Sequence, residues 1–398
     1  MRATPQLVPV SEWTTARLHL DDADRVAVVG LLGAVVQSVT PTARAGEFDV
    51  VLGSVAGRIA LPSGVVLDVA SRRISTADLL HLLRVTGRFP SLHHAGATPG
   101  GAGAGVVDVL ALSLAREVDG LVAAGLAKEY VTRRLDRPPY GGVLDVREHL
   151  GRRMARADQL VTRVRRLTTD TPRHQQLAAA LAALHRSGLR EVAERAVLRS
   201  TAAMGPVSPT SLSASALRAL VGTHRLGRYD AALELAITVA QAQELDLGGA
   251  GLRSSSLLFA LPQVWEDAVA LWACGQHPGR RVVQQHPFAV TDGREITARA
   301  DVVVLDDDGR VERLLDAKYK RLGSTPSAAD VYQMVTYCHR LGLRRASLVH
   351  PASDGPLVTR VVSIGDVDVE TIQLPATAVT PAGADGVAPA APAPSRSL

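Results

Sequence analysis

The spacing of apolar positions changes character along the chain. Between residues 22 and 75 they cluster in short runs, Val26–Val29, Val50–Leu52, Arg58–Leu61 and Val65–Val69, separated by Gly, Pro and Ser-Gly turns. Short β-branched runs between turn residues predict strands, so residues 1–95 read as a β-rich amino-terminal domain, with a short helix at Asp78–Leu83. Pro90–Gly105 reads as a loop or linker. From Val106 to Leu126 the apolar residues Val109, Leu112, Leu114, Val118, Leu121 and Val122 recur at three- and four-residue steps, the helical period. Thr171–Leu189 and Ser213–Leu245 read the same way, making residues 96–250 a mainly helical connector. Beyond the Gly248–Gly251 break the pattern predicts an apolar helix over Leu257–Cys274. Strands at Thr297–Leu305 and Val311–Lys318 and a helix over Ala328–Leu341 follow, together forming a third domain, 251–375. Ala376–Leu398 is rich in Ala, Pro, Gly and Ser without a period and predicts a disordered tail. The fold class is α/β and multi-domain.

Composition narrows the function classes. A chain of 398 residues with 46% hydrophobic and 21% charged residues excludes global disorder and suggests two or three domains. Two cysteines, Cys274 and Cys338, exclude a disulfide scaffold or zinc knuckle and fit a reducing compartment, the cytoplasm. Met1–Trp13 lacks the basic start and apolar core of a signal peptide. The longest apolar run, Val26–Val36, falls short of the ~20 residues that cross a bilayer, so no membrane is expected. The net charge of +5 permits a nucleic-acid partner without demanding one. Only three lysines occur, Lys128, Lys318 and Lys320, against 41 arginines. A lysine kept in such a chain marks a place where a guanidinium does not serve.

Several motifs carry less than they suggest. The glycine-rich run Gly100–Gly105 lacks the Gly-Lys-Ser/Thr ending of a phosphate loop and reads as linker. His93 and His94 have no third ligand at metal-binding spacing. Ser255 and Ser256 sit in no nucleophile elbow. Arg163–Arg166 reads equally as a phosphate contact or as solvated charge.

The segment that carries chemistry is Ile296–Arg321. Its two strands are joined by Asp306-Asp307-Asp308-Gly309, an Asp-Gly turn that makes a hairpin. Side chains alternate along a strand, so Asp316 and Lys318 share a face. Asp301 lies near the start of the other strand, in an apolar run where an acid is costly unless paired or bound to a cation. Asp-x-Lys alone is more often a surface ion pair. Two carboxylates and an ammonium on adjacent strands also make the minimum kit for metal-assisted phosphodiester hydrolysis. Carboxylates hold a hard cation such as magnesium, the metal activates water, and the lysine orients that water or stabilises the transition state. The Ala328–Leu341 helix sets Asp330, Gln333 and Tyr337 opposite the apolar Val331, Val335, Cys338 and Leu341.

Asp301 followed by Asp316-Ala317-Lys318 is similar to the PD-(D/E)xK nuclease motif, and the carboxy-terminal half resembles the McrC family, nuclease subunits of McrBC modification-dependent restriction systems. Asp316-Ala-Lys-Tyr-Lys320, Asp330-Val-Tyr-Gln-Met334 and Glu266 in Val264-Trp-Glu-Asp267 carry that resemblance. Gly125-Leu126 with Tyr130, and Thr169-Asp170-Thr171-Pro172 entering a helix, echo it upstream, so that it spans most of residues 105–365. Two departures stand out: Arg299-Ala300-Asp301 where the family usually has Arg-Pro-Asp, and Gly141-Gly142 where many relatives have Arg-Gly.

The resemblance implies a restriction-endonuclease-like core, a mixed sheet flanked by the Glu266 helix on one side and the Gln333 helix on the other. It implies catalysis by Asp301, Asp316, Lys318, Glu266 and Gln333, with Asp301, Asp316 and Glu266 holding Mg2+, or Mn2+ in its place. Gln333 would position the lysine or the water. Tyr319 and Lys320 either face DNA or flank the strand, and Tyr332 is expected to pack. The implied partners are double-stranded, modified DNA and an oligomeric McrB-like AAA+ NTPase, typically a GTPase, contacted through residues 1–250. Two other readings stand beside this one: an autonomous repair or recombination nuclease, and a non-catalytic scaffold that docks on an NTPase.

Overall fold

The computed structural model describes residues 6–87, 105–153, 160–223, 227–244, 256–291, 295–320, 322, 325–352, 357–380 and 387–388. The chain begins with β1 (Gln6–Ser11) and β2 (Thr15–His19), then α1 (Asp22–Gly30). α1 replaces the strand expected at Val26–Val29. The Asp21 side chain accepts from the Asp24 amide at 2.7 Å and caps it, so the acids ahead of the apolar run were a helix start signal. Next come β3 (Val36–Pro41), β4 (Glu47–Leu52), β5 (Val55–Ala60), β6 (Val65–Ala70) and α2 (Thr76–Val85). Ser75 and Asp78 form a reciprocal capping box at the start of α2. A buried ion group ties this region to α3 (Val106–Ala123): the fully buried Arg58 guanidinium donates to Asp108 at 3.0 Å and lies 3.4 Å from Asp68.

β7 (Glu129–Leu135), β8 (Val143–Leu144), α4 (Val146–Arg153) and β9 (Thr162–Thr168) follow, then α5 (Pro172–Arg186), α6 (Glu191–Ala203), α7 (Ala214–Arg218) and α8 (Asp230–Glu244). The helix expected over Ser213–Leu245 is thus two helices. Gly222 and Gly227 adopt left-handed backbone between them, a conformation that ends helices. Thr171 caps α5 with Pro172 in its first turn, as the Thr-Asp-Thr-Pro motif suggests.

β10 (Leu257–Ala260) opens the last section, followed by α9 (Leu261–Gln276), β11 (Arg281–Ala289), β12 (Thr297–Leu305), β13 (Val311–Ala317), α10 (Ala328–Leu341), β14 (Arg345–Ala352), β15 (Val358–Ile364), β16 (Val367–Pro375) and β17 (Val387–Ala388). The expected helix at Leu257–Cys274 therefore starts four residues late. Leu257-Leu-Phe-Ala260 is continuously apolar, a pattern that does not separate strand from helix, and Pro262 then opens the helix. The tail expectation is also corrected. Ala376, which opens a 3-10 turn over Ala376–Ala378, and Val379 pack inward: Val379 is fully buried and its carbonyl lies 2.9 Å from His81 Nε2. β17 pairs with β11. Most of Pro90–Gly105, with His93 and His94, and most of the tail lie outside the described residues.

Two compact units result, one of residues 1–109 with 241–398, the other of 110–240. These do not coincide with the division expected at 95 and 250. In the first unit, sheet order β1-β6-β5-β10 places a strand from beyond residue 250 against amino-terminal strands. Gly57 lets it in: with φ +132°, a Cβ there would sit 2.0 Å from the Leu257 carbonyl oxygen. An antiparallel β2-β4-β3 sheet shares the core of Leu18, Val28, Val36, Val50, Leu52, Ile59, Leu67 and Leu258.

The same unit holds a mixed seven-stranded sheet, ordered β15-β16-β14-β13-β12-β11-β17. Its core joins Val303, Leu305, Leu314, Ala346, Leu348 and Val369 to Val331, Met334 and Cys338 of α10. Val302, Val304 and Leu315, the alternate strand positions, are buried as well, so the sheet is covered on both faces. α9 packs along β11, β12 and β13. Its Trp265, fully buried, donates its indole N–H to the Val349 carbonyl at 3.0 Å. The 110–240 unit carries the antiparallel sheet β7-β9-β8 with α5 to α8.

Candidate functional site

The hairpin β12–β13 and the helix α10 bring together most of the residues expected to carry chemistry. β12 and β13 pair antiparallel from Val302↔Leu315 outward, which sets Asp301 beside the end of β13. Asp301 Oδ2 accepts the Ala317 amide at 2.9 Å. Lys318 leaves the strand with its amide bonded to the Val349 carbonyl at 2.9 Å, and its ammonium turns back to Asp316 Oδ2 at 2.7 Å. Gln333 Oε1 accepts from the same ammonium at 3.2 Å, and the Gln333 amide donates to the Tyr337 hydroxyl at 3.1 Å. Asp330 completes the cradle, 3.8 Å from Lys318 and ion-paired to Lys320. The face-sharing of Asp316 with Lys318 and the grouping of Asp330, Gln333 and Tyr337 are as the periodicities predict.

Charge in this pocket is under strain. Burial pushes the Asp301 carboxyl up to about 6, and the Asp316 charge adds to that rise. Glu266 is pushed further, to about 7, again chiefly by burial, with Asp301, Asp267 and Asp316 repelling it. Burial disfavours the Lys318 ammonium, but Asp316, Asp330 and Asp301 carry its pKa above the ordinary value. Asp330 goes the other way, burial being outweighed by hydrogen bonds from Lys320 and Ser327.

Asp316 is 4% exposed, and its Oδ2 is held by the Lys318 ammonium at 2.7 Å. Among the described residues, no three His, Cys, Asp or Glu side chains gather closely enough to hold a metal ion. The expected set of Asp301, Asp316 and Glu266 is therefore not drawn into one cluster. Glu266 is held instead by Gln285, which donates to it at 2.6 Å. Asp301 and Asp316 still fit a magnesium ion, which keeps several waters and needs only one or two carboxylates.

Gln285 is a site residue that the sequence reading passed over. β11 and β12 pair on either side of it, at Gln284↔Val302 and His286↔Ala300. Its φ is +52°, a conformation uncommon outside glycine and concentrated at functional sites. From this position, opposite Asp301 in an unbroken register, its side chain bonds both Glu266 and Asp301. A single left-handed residue inside a strand leaves no sequence period to read. His350 was also missed: its Nδ1 is 3.0 Å from the Lys320 carbonyl, and burial holds its pKa down.

Three neighbours differ from expectation or settle an open choice. Tyr319 turns inward: its hydroxyl donates to Glu12 at 3.0 Å and lies 2.6 Å from Ser71 Oγ. Lys320 stays partly exposed. Tyr332, expected to pack, is 63% exposed. Its position on α10 lies off the stripe of Val331, Met334 and Cys338.

A family model described as McrBC 5-methylcytosine restriction system component matches residues 50–351, a span that includes all five expected site residues. No curated protein matches the chain. Among solved structures, a Thermococcus gammatolerans assembly described as McrB AAA+ hexamers with bound McrC contains a chain of similar fold. The identity is 14%, the match covers 93% of this chain and 94% of that one, and the TM-score is 0.61. A chain of the Thermococcus gammatolerans McrBC complex is similar over 66% of this chain and 85% of its own, at 13% identity and TM-score 0.40.

Proposed function

The chain belongs to the family of McrBC 5-methylcytosine restriction system components, and from that premise we propose that it is the metal-dependent DNA endonuclease subunit of a McrBC-like restriction complex, with a PD-(D/E)xK core. The observation that carries the reading is the arrangement of Asp301 and Asp316 on adjacent strands with the Lys318 ammonium 2.7 Å from Asp316 and 3.2 Å from Gln333.

Each residue has a chemical task in this reading. Asp301 and Asp316 would hold the cation, which supplies charge neutralisation at the phosphate and a more acidic water. Gln285 keeps Glu266 beside the pair through its 2.6 Å bond. Lys318 presents its ammonium to the scissile phosphate or the attacking water, where a positive charge stabilises the developing negative charge. Gln333, itself held by Tyr337, fixes the direction of that ammonium. Asp330 separates the two lysines' roles by engaging Lys320.

The likeness of fold to a chain from an assembly of McrB AAA+ hexamers with bound McrC supports a partner of the same kind here: an oligomeric, McrB-like AAA+ NTPase that recognises and moves modified DNA. No described helix is long and apolar enough to cross a membrane.

The test is cleavage of methylated duplex DNA by the chain with its partner NTPase. Magnesium or manganese is expected to support it. Calcium is expected to support it poorly, being larger and less strict in geometry. Robust turnover in chelator would rule out the metal mechanism.

A further inference from the structure

The chain has three tryptophans. Trp265 and Trp272 belong to α9, one fully buried and the other half-buried. Trp13 is 46% exposed and has a φ of +54°, in the left-handed region. A bulky side chain held in that conformation is overdetermined by its surroundings and points to a functional role. Two bonds fix it: its amide donates to the Leu52 carbonyl at 2.8 Å, and its indole N–H donates to Ser54 Oγ at 2.8 Å. The ring is an ordered, solvent-facing platform.

That platform lines a cleft of about 270 Å3 with Glu12, Arg72, Arg73 and Lys320. Glu12 is fully buried and satisfied by the Arg72 amide at 2.9 Å, Ser71 at 3.0 Å, Tyr319 at 3.0 Å and the Arg73 guanidinium at 3.0 Å. Arg73 also stacks 5.1 Å over the Tyr319 ring. The acid and Arg73 thus form the floor, while the exposed Arg72 and the partly exposed Lys320 give the cleft its positive charge. Lys320 shares Asp330 with Lys318, so the cleft adjoins the candidate active site.

We propose that this cleft takes one unpaired nucleotide of the DNA strand, its base stacked on Trp13 and its phosphate between Arg72 and Lys320, and that it sets the strand entering at Lys318. An aromatic face beside cationic side chains is the recurring means of holding single-stranded nucleic acid, and the cleft is near the lower limit of small-ligand pockets, about 300 Å3. The inference rests on the nuclease reading and adds to it the strand-positioning site.

The experiment uses the full chain with its partner NTPase and a DNA duplex carrying a short unpaired segment. Calcium replaces magnesium for binding, and magnesium is used for cleavage. Trp13→Ala is expected to weaken binding about five- to a hundredfold, the range of one base-stacking contact, with Trp13→Phe recovering most of it. Arg72→Ala is expected to lower the salt dependence by about one counterion. Both losses should appear in KM, with kcat kept. Where an alanine variant melts below the wild type, Trp13→Leu, which is bulky but not aromatic, and Arg72→Gln carry the comparison. If wild type binds and cleaves while both variants match it, the cleft proposal is overturned and the nuclease reading stands. Loss of partner association in place of DNA affinity would identify a protein interface and overturn it too. Wild type that neither binds nor cleaves DNA would remove both.

Discussion

Asp301 and Glu266 occupy an environment that resists their ionisation, with carboxyls raised to about 6 and about 7. A raised carboxyl makes the folded chain bind more protons than the unfolded one. Its stabilising contribution is present below the ordinary carboxyl range and is lost as pH rises through the folded value. The metal-free protein should therefore lose stability between about pH 4 and 7, the interval between ordinary carboxyls and those raised here. Asp301→Asn should retain the bond to the Ala317 amide, flatten that pH dependence, and stabilise the chelated protein at pH 8 by about 1–2 kcal/mol. Thermal melts across pH check this; a variant less stable than wild type at pH 8 would contradict it. At Lys318 the shift is again upward, but it favours the charged form, because the ammonium sits among Asp316, Asp330 and Asp301. Lys318→Arg should abolish most cleavage, a broad guanidinium being a poor substitute for a compact ammonium. Cleavage by that variant at more than about a tenth of the wild-type rate, roughly 1.4 kcal/mol in barrier, would show that the shape of the cation is unimportant.

At the scale of elements, the carboxy-terminal tail is the place where composition misled. Ala376 and Val379 sit in a stretch without period yet are buried, and Val379 and His81 tie it to α2. A chain ending after Pro375 should melt several degrees below the full chain, since burying a Val-sized side chain contributes about 1.5–3 kcal/mol. An unchanged melting temperature would show that this contact carries no weight. The elements that read directly from sequence were those with one clear period and clear ends. Thr297–Leu305 and Ala328–Leu341 were legible to the residue, the latter marked by Ser327 at its start and Gly342, with left-handed backbone, at its end. Leu257–Ala260 and Asp22–Gly30 were not: one is apolar at every position, and the other is a short helix whose capping acid is the main clue. The same contrast holds in the site. Asp316, Lys318 and Gln333 follow from alternation and helical spacing, whereas Gln285 and the Glu12–Tyr319 bond depend on one residue's left-handed backbone and on a contact across 307 positions, which leave no local pattern.

At the scale of the molecule, the amino-terminal strands and the seven-stranded sheet share one unit, and β10 completes the first sheet. A cut near residue 250 would strip β10 from β5 and open the core around Leu258, so residues 1–250 do not make a sound fragment. Residues 110–240 form the other unit. Arg133 and Arg134, nearest the Tyr130 segment, are engaged there with Asp170 and Glu148, while Tyr130 is 65% exposed. A fragment of residues 105–244, which keeps α3 and α8 whole, is expected to bind the partner NTPase and change its hydrolysis rate. Co-purification and NTPase assays check this, and a fragment that neither binds nor alters hydrolysis would place partner contact elsewhere. The central claim is that Asp316 and Lys318 form a cation-dependent phosphodiesterase site. It is tested most directly by magnesium-supported cleavage of methylated duplex DNA in the assembled complex, comparing wild type with Asp316→Ala and Lys318→Ala. Cleavage by the wild type, its loss by at least about a hundredfold in each variant, and assembly intact in all three are the predicted result. Wild-type cleavage rates in either alanine variant would contradict the account.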